Sequence, residues 1–134
     1  MRRAGSERGQ TLLEYTVVIL TVLTVIFGVF ETGRLMLTYA TLAEAARAGA
    51  RYAIVHGADC VGACVPDNGA TTAQNVASAA GITLASYTPN YNPSGTNVPG
   101  TLLTVTVTYT FVPITPLVAL GIPLTSTTES MVLY

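Results

Sequence analysis

The stretch QTLLEYTVVILTVLTVIFGVF, residues 10–30, decides the architecture of this chain. From Tyr15 to Phe30 it contains 16 residues without a charged side chain. As a helix these residues extend over about 24 Å, and with Leu12 and Leu13 the segment approaches the ~20 residues that a bilayer requires. A helix lets a single segment satisfy its own backbone in lipid. The pattern therefore predicts one transmembrane helix.

Basic residues flank one end of this segment. Arg2, Arg3 and Arg8 precede it, and no Lys or Arg follows Arg51. The positive-inside bias predicts a cytoplasmic N-terminus and an extracytoplasmic C-terminal part, with Arg34 beyond the far end as a weak counter-signal. The alternative is a secretory signal peptide. Its apolar region is usually about 7–15 residues and is followed promptly by a small-x-small cleavage site, which this sequence lacks.

Composition restricts the classes of function. Half of the 134 residues are hydrophobic, 10% are charged and the net charge is -1, whereas soluble domains carry about 25% charged residues. The absence of basic residues after Arg51 leaves no groove for phosphates, so we predict no nucleic-acid partner. His56 is the one histidine and has no nucleophile or acidic cluster beside it. We predict no catalytic residue, no metal site, no cofactor and no enzyme activity.

Glu14 interrupts the apolar run. A charged side chain at the bilayer centre costs roughly 2.5–3.5 kcal/mol on insertion scales, and less near the interface. One interpretation is that Glu14 reaches the headgroups. The other uses its position, fifth after Gly9. Cleavage after Gly9 would create an α-amino group at Gln10, which could pair with Glu14 of a neighbouring chain when both leave water. That interpretation predicts that this ion pair helps helices of neighbouring chains to pack side by side.

The stretch RGQTLLEYTVVILTVLTVIFGVFETGRLMLTYATLAEAARAGARYA, residues 8–53, resembles the TadE-like minor pilins of the tight-adherence (Flp, type IVb) pilus system. In that family a basic leader ends in Gly, a prepilin peptidase cuts after it, and Glu occupies the fifth mature position, followed by Tyr or Phe. Gly9, Gln10, Glu14 and Tyr15 match this pattern. The resemblance therefore implies cleavage between Gly9 and Gln10 and an assembly role for Glu14 and Tyr15.

The chain after the apolar run reads as an α+β domain. Residues 34–55 predict a continuing helix, with an ion pair between Glu44 and Arg47 at i, i+3. The residues that recur at helical spacing on its apolar face are Leu35, Tyr39, Leu42, Ala46, Ala50, Ala53 and Ile54. Further along we predict a helix over 71–80 ended by Gly81, a strand over 82–87, a loop over 88–100, a strand over 103–111 and a paired strand over 124–134.

The strand over 103–111 has the clearest pattern, because Leu, Val and aromatic residues alternate with Thr. The whole prediction is a long transmembrane-plus-extended helix packed on a small antiparallel sheet with one short helix. Its divisions are a leader at 1–9, a transmembrane helix at 10–32, an extracytoplasmic helix extension at 33–56, and a small α+β domain at 57–134.

Cys60 and Cys64 lie in a Gly-, Pro- and Asx-rich loop. Such a pair would be oxidised outside the cytoplasm and reduced within it. Gly62 makes feasible the approach of the two Cα atoms to within about 7 Å. C-x3-C without a second ligand pair is not a zinc signature. We predict a disulfide between Cys60 and Cys64.

The function implied by the resemblance is structural. It is that of a minor pilin or pseudopilin of the bacterial inner membrane, single-pass, processed by a prepilin peptidase and involved in pilus assembly, adherence and biofilm formation. The implied partners are that peptidase, the pilus platform proteins, other pilin subunits and inner-membrane lipid. The alternative is a single-pass, membrane-anchored extracytoplasmic binding or sensor protein, which would keep residues 1–9 and would not need Glu14.

Overall fold

The computed structural model describes residues 6–56, 67–92, 98–114 and 121–133. Its elements, in chain order, are α1 (Ser6–Val55), α2 (Asp67–Ala79), β1 (Ser86–Asn92), β2 (Leu102–Phe111) and β3 (Ile122–Met131). The strands form one antiparallel sheet in the order β1-β2-β3, so the predicted α+β class is confirmed. Contacts divide the chain into two compact units, an N-terminal unit ending at Arg34 and a C-terminal unit, Leu35–Tyr134.

In the C-terminal unit, α1 supplies small residues to the core. Leu42, Ala46 and Ala50 are buried against Leu103, Val105 and Val107 of β2. This confirms most of the predicted apolar face, but Tyr39 is 54% exposed and the prediction was wrong there. Helix α1 is also buried next to this apolar face, because its Ala45 belongs to a second buried cluster that includes residues of α2. Its members are Ala45, Ala73, Ala77 and Ile82.

Helix α2 begins four residues earlier than predicted, at Asp67, and ends at Ala79, one residue before the predicted end. Gly81 has φ +73°, a left-handed conformation that suits glycine. The Gly81 N–H donates to Ser78 O at 2.9 Å, and the Ile82 N–H donates to Ala77 O at 3.0 Å. These two bonds form a Schellman motif, which satisfies the last carbonyl groups of the helix and turns the chain towards the sheet.

The first strand lies later in the chain than predicted. We expected a strand over 82–87 and a loop over 88–100, whereas β1 runs from Ser86 to Asn92. The side chain of Gln74 explains part of the difference. Its Nε2 donates to Ile82 O at 3.1 Å and its Oε1 accepts from the Leu84 N–H at 3.0 Å, so α2 rather than a strand binds this backbone.

Strand β2 is central and alternates as predicted. Leu103, Val105 and Val107 are completely or almost completely buried, and the intervening threonines face outward. Its register with β3 places Val107 opposite Ser126, which confirms the predicted pairing of the last two strands. That last strand covers Ile122–Met131 rather than 124–134.

Both outer strands carry a proline on the edge that faces away from β2. The Val132 N–H donates to Thr101 O at 2.9 Å, so even-numbered residues of the last strand bond towards β2. The register is unbroken, so the backbone nitrogen of Pro123, an odd-numbered residue, points to the free edge of β3. The backbone nitrogen of Pro89 points in the same way to the free edge of β1. Neither proline therefore removes a bond from the sheet, since proline has no N–H to donate.

Candidate assembly site

The N-terminal unit consists of an apolar helix with an uncovered surface. Its large apolar side chains from Leu12 to Phe30 are 45% to 70% exposed. In the part of the chain that the structure describes, α1 is the one helix long and apolar enough to cross a membrane. A contiguous apolar surface of this extent marks a contact with lipid or with other protein. The segment is thus suited to membrane anchoring.

Four threonines in this unit bond to the helix that carries them. The hydroxyl of Thr16 donates to Leu12 O at 2.8 Å, that of Thr21 to Val17 O at 2.9 Å, that of Thr24 to Leu20 O at 2.8 Å and that of Thr32 to Gly28 O at 2.8 Å. Polar groups in lipid need an internal partner. Back-bonding to the i-4 carbonyl supplies it, so these threonines are compatible with an apolar environment. Our sequence reasoning did not identify these bonds.

Glu14 lies on the exposed surface of α1, beside a shallow groove of about 260 Å³. Thr11, Tyr15 and Val18 line the groove with it. Within the described residues Glu14 has no hydrogen bond and no ion pair. The carboxylate and the ring of Tyr15 thus share one surface, and the carboxylate is available to a group from outside the chain.

Gly9 and Gln10 are exposed in the first turns of α1. A Cβ added at Gly9 would meet nothing within 4 Å. The cleavage predicted between these two residues stays a prediction, as do the assembly roles of Glu14 and Tyr15. Cys60 and Cys64 lie outside the described residues, so their predicted disulfide also stays a prediction.

Arg34 at the far end of the apolar run is paired. Its Nη1 donates to Glu31 Oε2 at 3.0 Å, and the side chains are 33% and 14% exposed, respectively. The basic residue nearest the far end of the apolar run is therefore held in an ion pair on the same helix. The i, i+3 spacing of Glu31 and Arg34 in the sequence is the one that favours such a pair. The predicted Glu44–Arg47 pair is also present, at 2.9 Å and largely exposed.

In the C-terminal unit, the ring of Tyr87 lies between α1 and α2. It approaches Gly49 and Gly69 so closely that a Cβ at either position would lie 2.6 or 2.5 Å from a Tyr87 atom. Burial, and secondarily the neighbouring Tyr91, raises the pKa of Tyr87 to about 12. Its hydroxyl has no hydrogen-bond partner among the described residues. Tyr87 is therefore an uncharged side chain that fills the space between α1 and α2.

His56 follows the last residue of α1. Its ring stacks on Tyr52, with 4.0 Å between ring centroids, and its Nδ1 lies 2.9 Å from Tyr52 O. In the described ranges, no group of three or more His, Cys, Asp or Glu side chains could hold a metal ion. The contacts of His56 are those of a helix terminus.

Comparison with protein families gives a match to the model described as TadE-like protein, over residues 9–51. This confirms the resemblance predicted from the stretch 8–53, and the match covers all but the first and the last two residues of that stretch. Comparisons with curated proteins and with solved structures give no match. The matched segment contains the apolar run and most of the part of α1 that packs on the sheet, including Leu42, Ala46 and Ala50.

Proposed function

Because residues 9–51 are TadE-like, we propose that this chain is a structural minor pilin or pseudopilin of a tight-adherence pilus. It is inserted once in the bacterial inner membrane with its N-terminus in the cytoplasm, is cut after Gly9 by a prepilin peptidase, and packs through α1 against other pilin subunits. It has no catalytic role. Pilus platform proteins and inner-membrane lipid are its other partners, and adherence and biofilm formation are the processes it serves.

The observation that carries this proposal is the carboxylate of Glu14, which lies on an exposed apolar helix surface and has no hydrogen bond or ion pair among the described residues. In lipid, an ionised group without a partner is costly, and a partner of opposite charge lowers that cost. The new α-amino group at Gln10 of a neighbouring subunit provides such a partner. An interaction of this kind makes lateral packing of the helices favourable only after the leader has been removed.

The first experiment is to identify the N-terminal residue of the protein isolated from membranes and from surface appendages. Gln10 is the expected result. Retention of Met1 would instead favour a membrane-anchored binding or sensor protein, and a start well beyond the apolar run would favour a secreted protein.

The second experiment replaces Glu14 by Gln, which removes the charge and keeps the size of the side chain. We expect normal amounts of protein in the membrane and a loss of at least about tenfold in assembled appendage, the factor that ~1.4 kcal/mol produces in a single equilibrium. Glu44→Gln is the matched control, because Glu44 lies on the same helix, is exposed and pairs only with Arg47 as far as the described residues show. Full assembly of the Glu14→Gln variant would contradict the docking role.

A further inference from the structure

The outward face of the sheet carries hydroxyl groups where surfaces usually carry charge. We call six residues the threonine face: Thr104, Thr106, Thr108 and Thr110 of β2, and Thr125 and Thr127 of β3. These side chains are exposed or partly exposed. On the outward side of all three strands, Glu129 is the one charged residue. Typical surfaces contain about 25–35% charged residues, so this face is unusually neutral.

The register arranges these hydroxyls as a grid. Thr106 lies between Thr88 and Thr127, and Thr108 lies between Ser86 and Thr125. Neighbouring strands are about 4.8 Å apart, and alternate residues along a strand are about 6.8 Å apart. Polar groups of one kind therefore recur at regular intervals in two directions.

One short cross-strand hydrogen bond and one longer contact join hydroxyl groups of the grid. The hydroxyl oxygens of Ser86 and Thr108 are 2.6 Å apart, and those of Thr106 and Thr127 are 3.4 Å apart. Threonine is also restricted at χ1 by its branched Cβ. Because these side chains are already ordered, binding a ligand would cost less conformational entropy than binding through long flexible side chains.

We propose that the threonine face binds an uncharged, hydroxyl-rich polysaccharide lying flat across the sheet. Each threonine hydroxyl can donate one hydrogen bond and accept two, as a sugar hydroxyl can. The threonine methyl groups contact the C–H surfaces of the sugar. The chain has no Lys or Arg after Arg51, and Glu129 borders the face, so an anionic polymer would be repelled rather than attracted.

Binding by a single copy is weak, because each hydrogen bond to a sugar replaces one to water. Many copies on one particle raise the avidity by about 10²–10⁴-fold when they engage one surface together. The proposal depends on the proposed function in one respect, since an appendage would present many copies of the face outside the cell. The binding itself requires neither leader cleavage nor pilus assembly.

The test uses the full chain reconstituted in vesicles of uncharged lipid and measures vesicle retention on microcrystalline cellulose. Retention of wild-type vesicles should exceed that of protein-free vesicles by about tenfold or more. The variant T104V/T106V/T108V/T110V keeps the branched shape and removes the hydroxyls, so its retention should fall to the protein-free level. The matched variant T104S/T106S/T108S/T110S keeps the hydroxyls, and its retention should stay within about twofold of wild type.

Unchanged thermal unfolding of each variant establishes that the sheet is intact, and T125V/T127V on β3 serves as a second variant if the four-fold valine change disturbs folding. Retention of wild-type vesicles at the protein-free level would overturn the proposal. Equal retention of the wild-type and valine variants, or stronger retention on carboxymethylated cellulose than on cellulose, would overturn it as well. Because appendage assembly is not measured in this assay, these outcomes are separate from a failure of the pilin proposal.

Discussion

At the residue scale, two glycines on different helices make room for one aromatic ring. Gly49 of α1 and Gly69 of α2 both contact Tyr87 of β1, which joins three elements at one point. A side chain at either glycine would need space that the ring already occupies. The tyrosine hydroxyl contributes to this crowding without forming a hydrogen bond among the described residues. The contact therefore depends on shape rather than on polarity.

We expect Gly49→Ala to lower the free energy of unfolding of the C-terminal unit by about 1–3 kcal/mol, because overpacking displaces the ring. Thermal or urea unfolding monitored by near-ultraviolet circular dichroism measures the change. Gly33→Ala is the matched control, since its Cβ would meet nothing within 4 Å. Equal unfolding curves for Gly49→Ala and wild type would show that the contact is not tight.

The second glycine gives a sharper test of the same contact. The atom closest to a Cβ at position 69 is the Tyr87 hydroxyl oxygen, at 2.5 Å, whereas at position 49 it is the ring carbon Cε2, at 2.6 Å. Tyr87→Phe removes only the hydroxyl. Combined with Gly69→Ala, it should therefore restore much of the lost stability, with a coupling energy of roughly 0.5–3 kcal/mol. Combined with Gly49→Ala, it should restore little. Equal rescue of both variants in a double-mutant cycle would contradict this geometry.

At the element scale, β2 shows how much of the sheet the sequence predicts. Nine residues of alternating apolar and Thr side chains fix which face is buried, and the structure agrees at Leu103, Val105 and Val107. The same reasoning failed at β1, where Pro89 and two asparagines suggested a turn. Those residues form an edge strand, whose alternation is set by Tyr87 and Tyr91 packing inward. Pairing with the regular strand β2 therefore determines the conformation of residues 86–92 more than their turn-forming composition does.

Two adjacent leucines test the orientation of β2. Leu103 is completely buried, whereas Leu102 is 36% exposed on the opposite face. Leu103→Ala should lower the free energy of unfolding by about 2–5 kcal/mol, because it removes core contacts and leaves a cavity. Leu102→Ala should cost less than about 1 kcal/mol. Urea unfolding of both variants decides the point, and a larger loss for Leu102→Ala would mean that the register is shifted by one residue.

At the scale of the whole molecule, the core of the C-terminal unit combines distant parts of the chain. Residues of α1 before position 54 pack on strands that begin after position 85. The family resemblance and the position of Glu14 were visible in the sequence, because both depend on local spacing. The hydrogen bonds of Gln74 to the backbone of Ile82 and Leu84 were not visible, nor was the contact of Tyr87 with Gly49 and Gly69. These interactions join residues separated by 8 to 38 positions, whose proximity follows from tertiary packing.

This arrangement predicts which fragments fold. A fragment of residues 35–134 contains every member of both buried clusters and should unfold cooperatively on heating. A fragment of residues 57–134 lacks Leu42, Ala46 and Ala50, so the buried face of β2 would meet water, and we expect no cooperative transition. Circular dichroism melting curves of the two fragments measure this. A cooperative transition in the shorter fragment would show that the sheet and α2 need no support from α1.

The prolines at the sheet margins have a consequence for how copies of this protein can meet. On β1, Pro89 is the middle one of the three residues whose backbone groups point to the free edge, so an approaching strand finds the central N–H donor missing. On β3, Pro123 occupies only the first such position. The free edge of β1 is thus blocked and that of β3 is partly available for pairing. Growth into a continuous cross-β ribbon requires two available edges on every copy. Pairing of copies through these strand edges would therefore stop at two molecules.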